Sequence, residues 1–252
     1  MARIYVGTSG WSYDHWQGVL YPDGLSPRDR LAHYLGHGYP TVELNASFYR
    51  WPADGSFASW DRRLPEGFVL AVKAPRGLTH GRRLYGPEAW LERIARGLSR
   101  LNGWGHRGPL LVQLPPDFGV DHARLGYFLE VLGRAGLGGQ RVAVEFRHPD
   151  WHDDPGAREL LERHEAAYCV MSGAHLPCVL RATAPGFVYV RLHGPDPHHL
   201  YGGSYSDDDL RWWADRLREW QGGGRDVYAY FNNDGGGNAV RNADTLRALL
   251  GA

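Results

Sequence analysis

The chain has 252 residues, 43% of them hydrophobic and 22% charged, and its 28 Lys plus Arg balance 28 Asp plus Glu. That apolar content at zero net charge excludes a disordered chain, and no apolar run nears the roughly 18 residues of a membrane span. Met1 leads straight into strand-like sequence with no signal-peptide layout. Cys169 and Cys178 supply neither a disulfide framework nor a Cys-x-x-Cys pair, so a reduced, cytoplasmic protein is expected.

Eight short β-like runs follow in order: Arg3–Gly7, Thr41–Asn45, Phe68–Lys73, Leu110–Leu114, Arg141–Phe146, Ala167–Met171, Phe187–Leu192 and Val227–Phe231. Helical patterns lie between most of them. Arg28–Leu35 follows the Ser26-Pro27 cap and first-turn pair. Glu88–Leu101 spaces Trp90, Leu91, Ile94, Leu98 and Leu101 three to four apart behind Pro87. Asp121–Leu132, Ala157–His164, Asp207–Trp220 and Asn238–Leu250 read alike. Ser172–Pro185 has two prolines and no helical period, which predicts an irregular or shortened sixth helical unit. Alternating strands and helices imply a parallel sheet. Eight such units in this length predict a single (β/α)8 TIM-type barrel domain over 1–252, with a doubly wound open sheet as the alternative.

Within each strand one parity is aliphatic: Ile4 and Val6, Val42 and Leu44, Leu70 and Val72, Val142 and Val144, Val188, Val190 and Leu192. Alternation turns these toward the helices. The other parity turns toward the barrel interior and becomes polar at the C-terminal strand ends, with Glu43 and Asn45, Lys73, Gln113, Glu145 and Arg147, Arg191 and His193, and Asn232. Buried charges cost several kcal/mol unless paired or open to water, and active sites of this fold lie at that end. The polar ends therefore mark a candidate site, against the plainer reading of a structural ion network. Of the 28 basic residues, all but Lys73 are arginine. A solitary lysine suits a position where a compact ammonium or a neutral amine matters: a nucleophile, a base, or a point-charge partner of Glu43 on the adjacent strand. Glu43 and Glu145 are the acid/base candidates. They end strands two and five, while strands four and seven end in Gln113 and His193, which disfavours a glycosidase carboxylate pair on the latter two strands.

After the eighth strand, Asn232-Asn233-Asp234-Gly235-Gly236-Gly237-Asn238 feeds a helix N-terminus, a layout that offers backbone N–H groups to an anion. Arg191 and His193 end the neighbouring strand. His148, His152, Asp153, Asp154, His193, His198 and His199 show no metal-ligand spacing, so no metal and no cofactor are expected. Trp11, Tyr49, Trp151, Tyr201 and Tyr205 bring rings to the same loops, suited to stacking on sugars or bases.

These loops also carry a resemblance. Gly7-Thr8-Ser9-Gly10-Trp11-Ser12-Tyr13, Glu43-Leu44-Asn45 with Ser47-Phe48-Tyr49, Val72-Lys73-Ala74-Pro75 with Thr79-His80, Gln113-Leu114-Pro115-Pro116, Glu145-Phe146-Arg147 with Trp151, Arg191-Leu192-His193-Gly194 with Tyr205, and Phe231-Asn232-Asn233 together resemble the YecE-like family, domain of unknown function 72. The resemblance runs over nearly the whole chain and implies a TIM-type barrel without implying an activity. That family often carries an Asp after strand six, where this chain has Met171-Ser172-Gly173.

The residues together favour an enzyme-like barrel that binds an anionic small molecule, phosphorylated or carboxylated. In that reading Glu43, Lys73 and Glu145 are catalytic candidates. The substrate-binding candidates are Trp11, Asn45, Tyr49, Gln113, Arg147, Trp151, Arg191, His193, Tyr205, Asn232 and Asn233. Two alternatives use the same residues: a nucleic-acid binder or phosphodiester-processing protein, and a non-catalytic ligand-binding barrel.

Overall fold

The computed structural model describes residues 1–101 and 105–251. Its strands are β1 (Ile4–Thr8), β2 (Thr41–Leu44), β3 (Val69–Lys73), β4 (Arg107–Leu114), β5 (Val142–Phe146), β6 (Ala167–Ser172), β7 (Phe187–Leu192) and β8 (Asp226–Phe231). They form one parallel sheet in the order β1-β8-β7-β6-β5-β4-β3-β2, and a parallel bridge from Ser9 to Glu43 joins the first strand to the second. This sequential, closing order is the topology of a (β/α)8 barrel and excludes the doubly wound sheet, whose order reverses at a switch point. The helices are α1 (Arg30–Gly36), α2 (Ala46–Tyr49), α3 (Asp54–Asp61), α4 (Glu88–Leu98), α5 (His122–Leu132), α6 (Pro155–Arg163), α7 (Asp207–Gly222) and α8 (Asn238–Leu250). No helix separates β6 from β7, so the sixth unit is irregular, as its prolines predict. Among the described residues no helix is long and apolar enough to cross a membrane. The chain divides into two compact units, one of Met1–Glu43, Val170–Leu180 and Gly186–Ala252, the other of Leu44–Cys169 and Arg181–Pro185.

In the first unit, β8 pairs with β1 and β7 in continuous register, Tyr228 standing opposite both Tyr5 and Tyr189. The inward parity is visible in side-chain contacts: Thr41 and Tyr230 share a hydrogen bond of 2.7 Å, and Tyr189 donates to Glu43 at 2.7 Å. Gly7 lets β1 approach β2, since a Cβ there would sit 2.3 Å from the Thr41 carbonyl oxygen. α7 starts where the sequence predicts, because Ser206 and Asp209 form a capping box and three aspartates occupy the positive end of the helix dipole. α8 buries Ala239, Val240, Ala243 and Leu246, a helical stripe.

In the second unit, β4 pairs with β3 and β5. β4 begins at Arg107, three residues before the predicted Leu110, and so takes in Gly108 and Pro109. A register shift between Leu70 and Val72 accommodates these residues, as expected for a proline that cannot donate to the ladder. The short helices α2 and α3 were not predicted. α3 is poor in helix formers, and its one buried residue, Phe57, packs 5.3 Å from both Trp51 and Trp60. Tertiary burial rather than local propensity holds this segment.

Candidate functional site

The polar strand ends build two constellations, one in each unit. In the first unit, Glu43 and Arg191 are completely buried and paired. Arg191 Nε donates to one Glu43 oxygen at 3.0 Å and Nη2 to the other at 2.8 Å, a two-point fork. Ser9 adds a bond at 2.6 Å and Tyr189 one at 2.7 Å. Four donors match the roughly four lone-pair sites of a carboxylate. Burial first, and then the Glu43 charge, push the Tyr189 phenol well above its ordinary range, so it stays a donor. Glu43 is thus a charge-balancing centre of the interior, and its lone pairs are spent on protein donors.

Around it, Asn232 and His193 Nδ1 lie 3.1 Å apart, both residues buried. Asn233 donates to Gly203 and to Asn242, while its buried Oδ1 has no hydrogen-bond partner. The Tyr205 hydroxyl receives the Gly194 amide and lies 3.1 Å from Ser172 Oγ. Tyr21 donates to the Trp11 carbonyl. The glycine-rich turn before α8 is less open than its sequence suggests. A Cβ on Gly237 would lie 2.8 Å from Val19, His15 and Trp16 donate to the Asp234 carbonyl, and burial pushes the Asp234 carboxyl up.

In the second unit, the β4–β5 register sets Gln113 opposite Glu145, and the Gln113 amide donates to Glu145 Oε1 at 2.6 Å. Arg147 Nε donates to the same oxygen, and the Cys169 thiol lies 3.8 Å from Oε2. Lys73 ends β3 with Nζ 4.2 Å from the centre of the Phe48 ring. His80 packs its ring edge-on against that same Phe48, centroids 4.9 Å apart. His80, quoted above only within the family motif, was not among the candidate site residues. It sits on a π-helical turn, Gly77–Gly81, closed by Arg82 N–H to the Gly77 carbonyl at 2.9 Å. A Cβ on Gly77 would come within 2.5 Å of the Trp90 ring, so the turn's backbone packs closely against that side chain. Such wide turns recur at functional sites, and no periodicity in the sequence announces one.

Burial foremost, then the charges of Lys73 and Arg76 and that of Arg147, push the His80 imidazole down to about 4. Asp117 acts oppositely and is itself paired with Arg83. The imidazole is therefore neutral at neutral pH in an electropositive neighbourhood. Asn45 keeps a buried Oδ1 with no hydrogen-bond partner. Tyr49 is 79% exposed, its ring meeting Phe48 edge-on. Trp151, expected as a wall, is 1% exposed: it stacks on Phe146 and donates to the Phe118 carbonyl at 2.7 Å, and so supports the end of β5 from within the core. Among the described residues no three His, Cys, Asp or Glu side chains converge as metal ligands.

Known proteins agree with this architecture. A family model described as "Protein of unknown function DUF72" matches residues 5–252. The UPF0759 protein YunF of Bacillus subtilis (strain 168) is 30% identical over 274 residues, spanning 98% of this chain and 94% of its own length. The crystal structure of a DUF72 family protein from Thermotoga maritima MSB8 superposes with a TM-score of 0.86 at 29% identity, over 99% of this chain and 100% of that one. One from Enterococcus faecalis V583 gives 0.84 at 20% identity, over 100% and 96%.

Proposed function

The chain belongs to the DUF72 family, whose description assigns no activity, and from the site alone we propose that it binds an anionic small molecule, phosphorylated or carboxylated, in an enzyme-like site at the C-terminal ends of β3, β4 and β5. The observation that carries this reading is the gathering of cationic side chains around one aromatic platform. Lys73 and His80 both pack on Phe48, and Lys73, Arg76 and Arg147 all disfavour a protonated His80. Glu145 is paired with Arg147 and Asp117 with Arg83. Active sites of this fold lie at the same strand ends.

Lys73 supplies a point charge to the ligand's oxyanion, and Arg147, oriented by Glu145 through Nε, supplies a planar donor set. Gln113 holds Glu145 in place, and exposed Tyr49 meets the Phe48 ring edge-on. Glu43, Arg191 and Tyr189 keep the interior of the other unit charge-balanced.

Calorimetric titration with inorganic sulfate and phosphate tests the reading. One saturable site is expected, weakened at least about tenfold (~1.4 kcal/mol) by Lys73→Met. An unchanged affinity in that variant, or saturable binding of oligonucleotides alone, overturns it.

A further inference from the structure

We propose that His80 is the proton acceptor of this site, with Nε2 as the reacting atom. The inference rests on the anion reading above and names the group that moves the proton.

Thr79 has two hydrogen-bond neighbours for one hydroxyl proton, and the proposed tautomer assigns that proton to Pro75. Its hydroxyl has one proton, and the Pro75 carbonyl 3.3 Å away is an acceptor only. In the proposed tautomer that proton goes to Pro75, Thr79 Oγ1 accepts from His80 Nδ1–H, 2.9 Å away, and Nδ1 carries the ring proton. Nε2 then holds the lone pair, and it makes no hydrogen bond among the described residues. Two contacts position the ring, Thr79 at Nδ1 and the Phe48 edge-to-face packing, on the π-helical turn Gly77–Gly81.

The charged groups acting on the ring come from each neighbouring strand end. Lys73 ends β3 and Arg76 follows it, Arg147 follows β5 and is bonded to Glu145 on that strand, and Asp117, which follows β4, acts oppositely. Burial and the three cations hold the imidazole neutral. A bound oxyanion cancels part of that positive field, which favours the imidazolium. Proton transfer then balances simply. The ligand's acidic O–H bond breaks, its electron pair stays on oxygen, and an N–H bond forms at Nε2. The ligand's added negative charge faces the new imidazolium and Lys73. Depression of the free group and its recovery on binding tune the acceptor toward the working pH when a ligand is present.

Sulfate is the decisive probe, because at about pH 5 it carries no proton to give. The ring nitrogens of His80 in ¹⁵N-labelled protein report the outcome, assigned by the signals missing in His80→Gln and by correlation to its own backbone. The expected result without sulfate is a neutral ring protonated at Nδ1. With saturating sulfate both nitrogens become protonated, and sulfate affinity rises several-fold between about pH 7 and pH 5. Calorimetry of the wild-type chain in two buffers of different ionisation heat gives an uptake approaching one proton per sulfate, independent of any variant's folding. If sulfate binds in a Lys73-dependent way while His80 stays neutral, or if the free ring is protonated at Nε2, the inference fails and the anion site stands. If no saturable sulfate binding exists, both fall.

Discussion

Arg191→Met is expected to remove about 3–5 kcal/mol of folding stability, the range for breaking one half of a buried ion pair. The cause is the carboxylate left behind. Glu43 would keep the Ser9 and Tyr189 hydroxyls, at 2.6 and 2.7 Å, but lose both arms of the guanidinium fork in an interior that water does not reach. A chain of this class has about 5–15 kcal/mol in hand, so the single variant sits near the edge of folding. Arg191→Lys restores the charge without the fork and recovers only part of the loss. The double variant Glu43→Leu with Arg191→Met recovers most of it, since neither charge then has to be desolvated. Urea midpoints at unchanged slope measure all three. A loss below about 1 kcal/mol in Arg191→Met contradicts the assignment of the pair as a structural charge balance.

Glu145→Gln separates stability from binding by giving them opposite signs. The amide still accepts from Gln113, but Arg147, nearly buried, loses its counter-charge, and stability drops by about 1–3 kcal/mol. The same change deletes the negative charge closest to Arg147. At an effective dielectric appropriate to a half-buried site this is worth about 1 kcal/mol to an approaching anion, so sulfate binds roughly fivefold tighter. A carboxylate acting as the acid or base of a reaction behaves differently: its amide variant binds ligand unchanged and fails at turnover. Sulfate affinity that is unchanged or weakened in Glu145→Gln contradicts the charge-balancing role.

Much of this was legible from alternation along the strands. The parity that puts Thr41 and Glu43, Tyr189 and Arg191, and Tyr230 on one face is the parity found in the hydrogen bonds of the first unit. The opposition of Gln113 and Glu145 follows from the same rule once β4 and β5 are in register. The Glu43–Arg191 pairing itself was hidden, because 148 residues separate the two and only the closure of the sheet selects the partner. Read as an anion ligand, Arg191 instead spends both arms of its fork on Glu43. The aromatic loop residues could not be sorted either. Trp151 and Tyr49 follow strand ends alike, yet one is core and the other almost fully exposed, a difference set by whether Phe118 and Phe146 are there to receive the ring. His80 stood in the sequence only within the family motif, because no local pattern encodes the π-helical turn that carries it. The single lysine was the most useful sequence signal, since it marked the platform on which His80 also rests.

Anomalous diffraction from crystals equilibrated with selenate, an oxyanion of sulfate's shape, tests the central claim most directly. The anion reading predicts a strong selenium peak within hydrogen-bond reach of Lys73 Nζ, absent in Lys73→Met crystals. Selenium found only at the glycine-rich turn before α8, or only on exposed arginines, would contradict it.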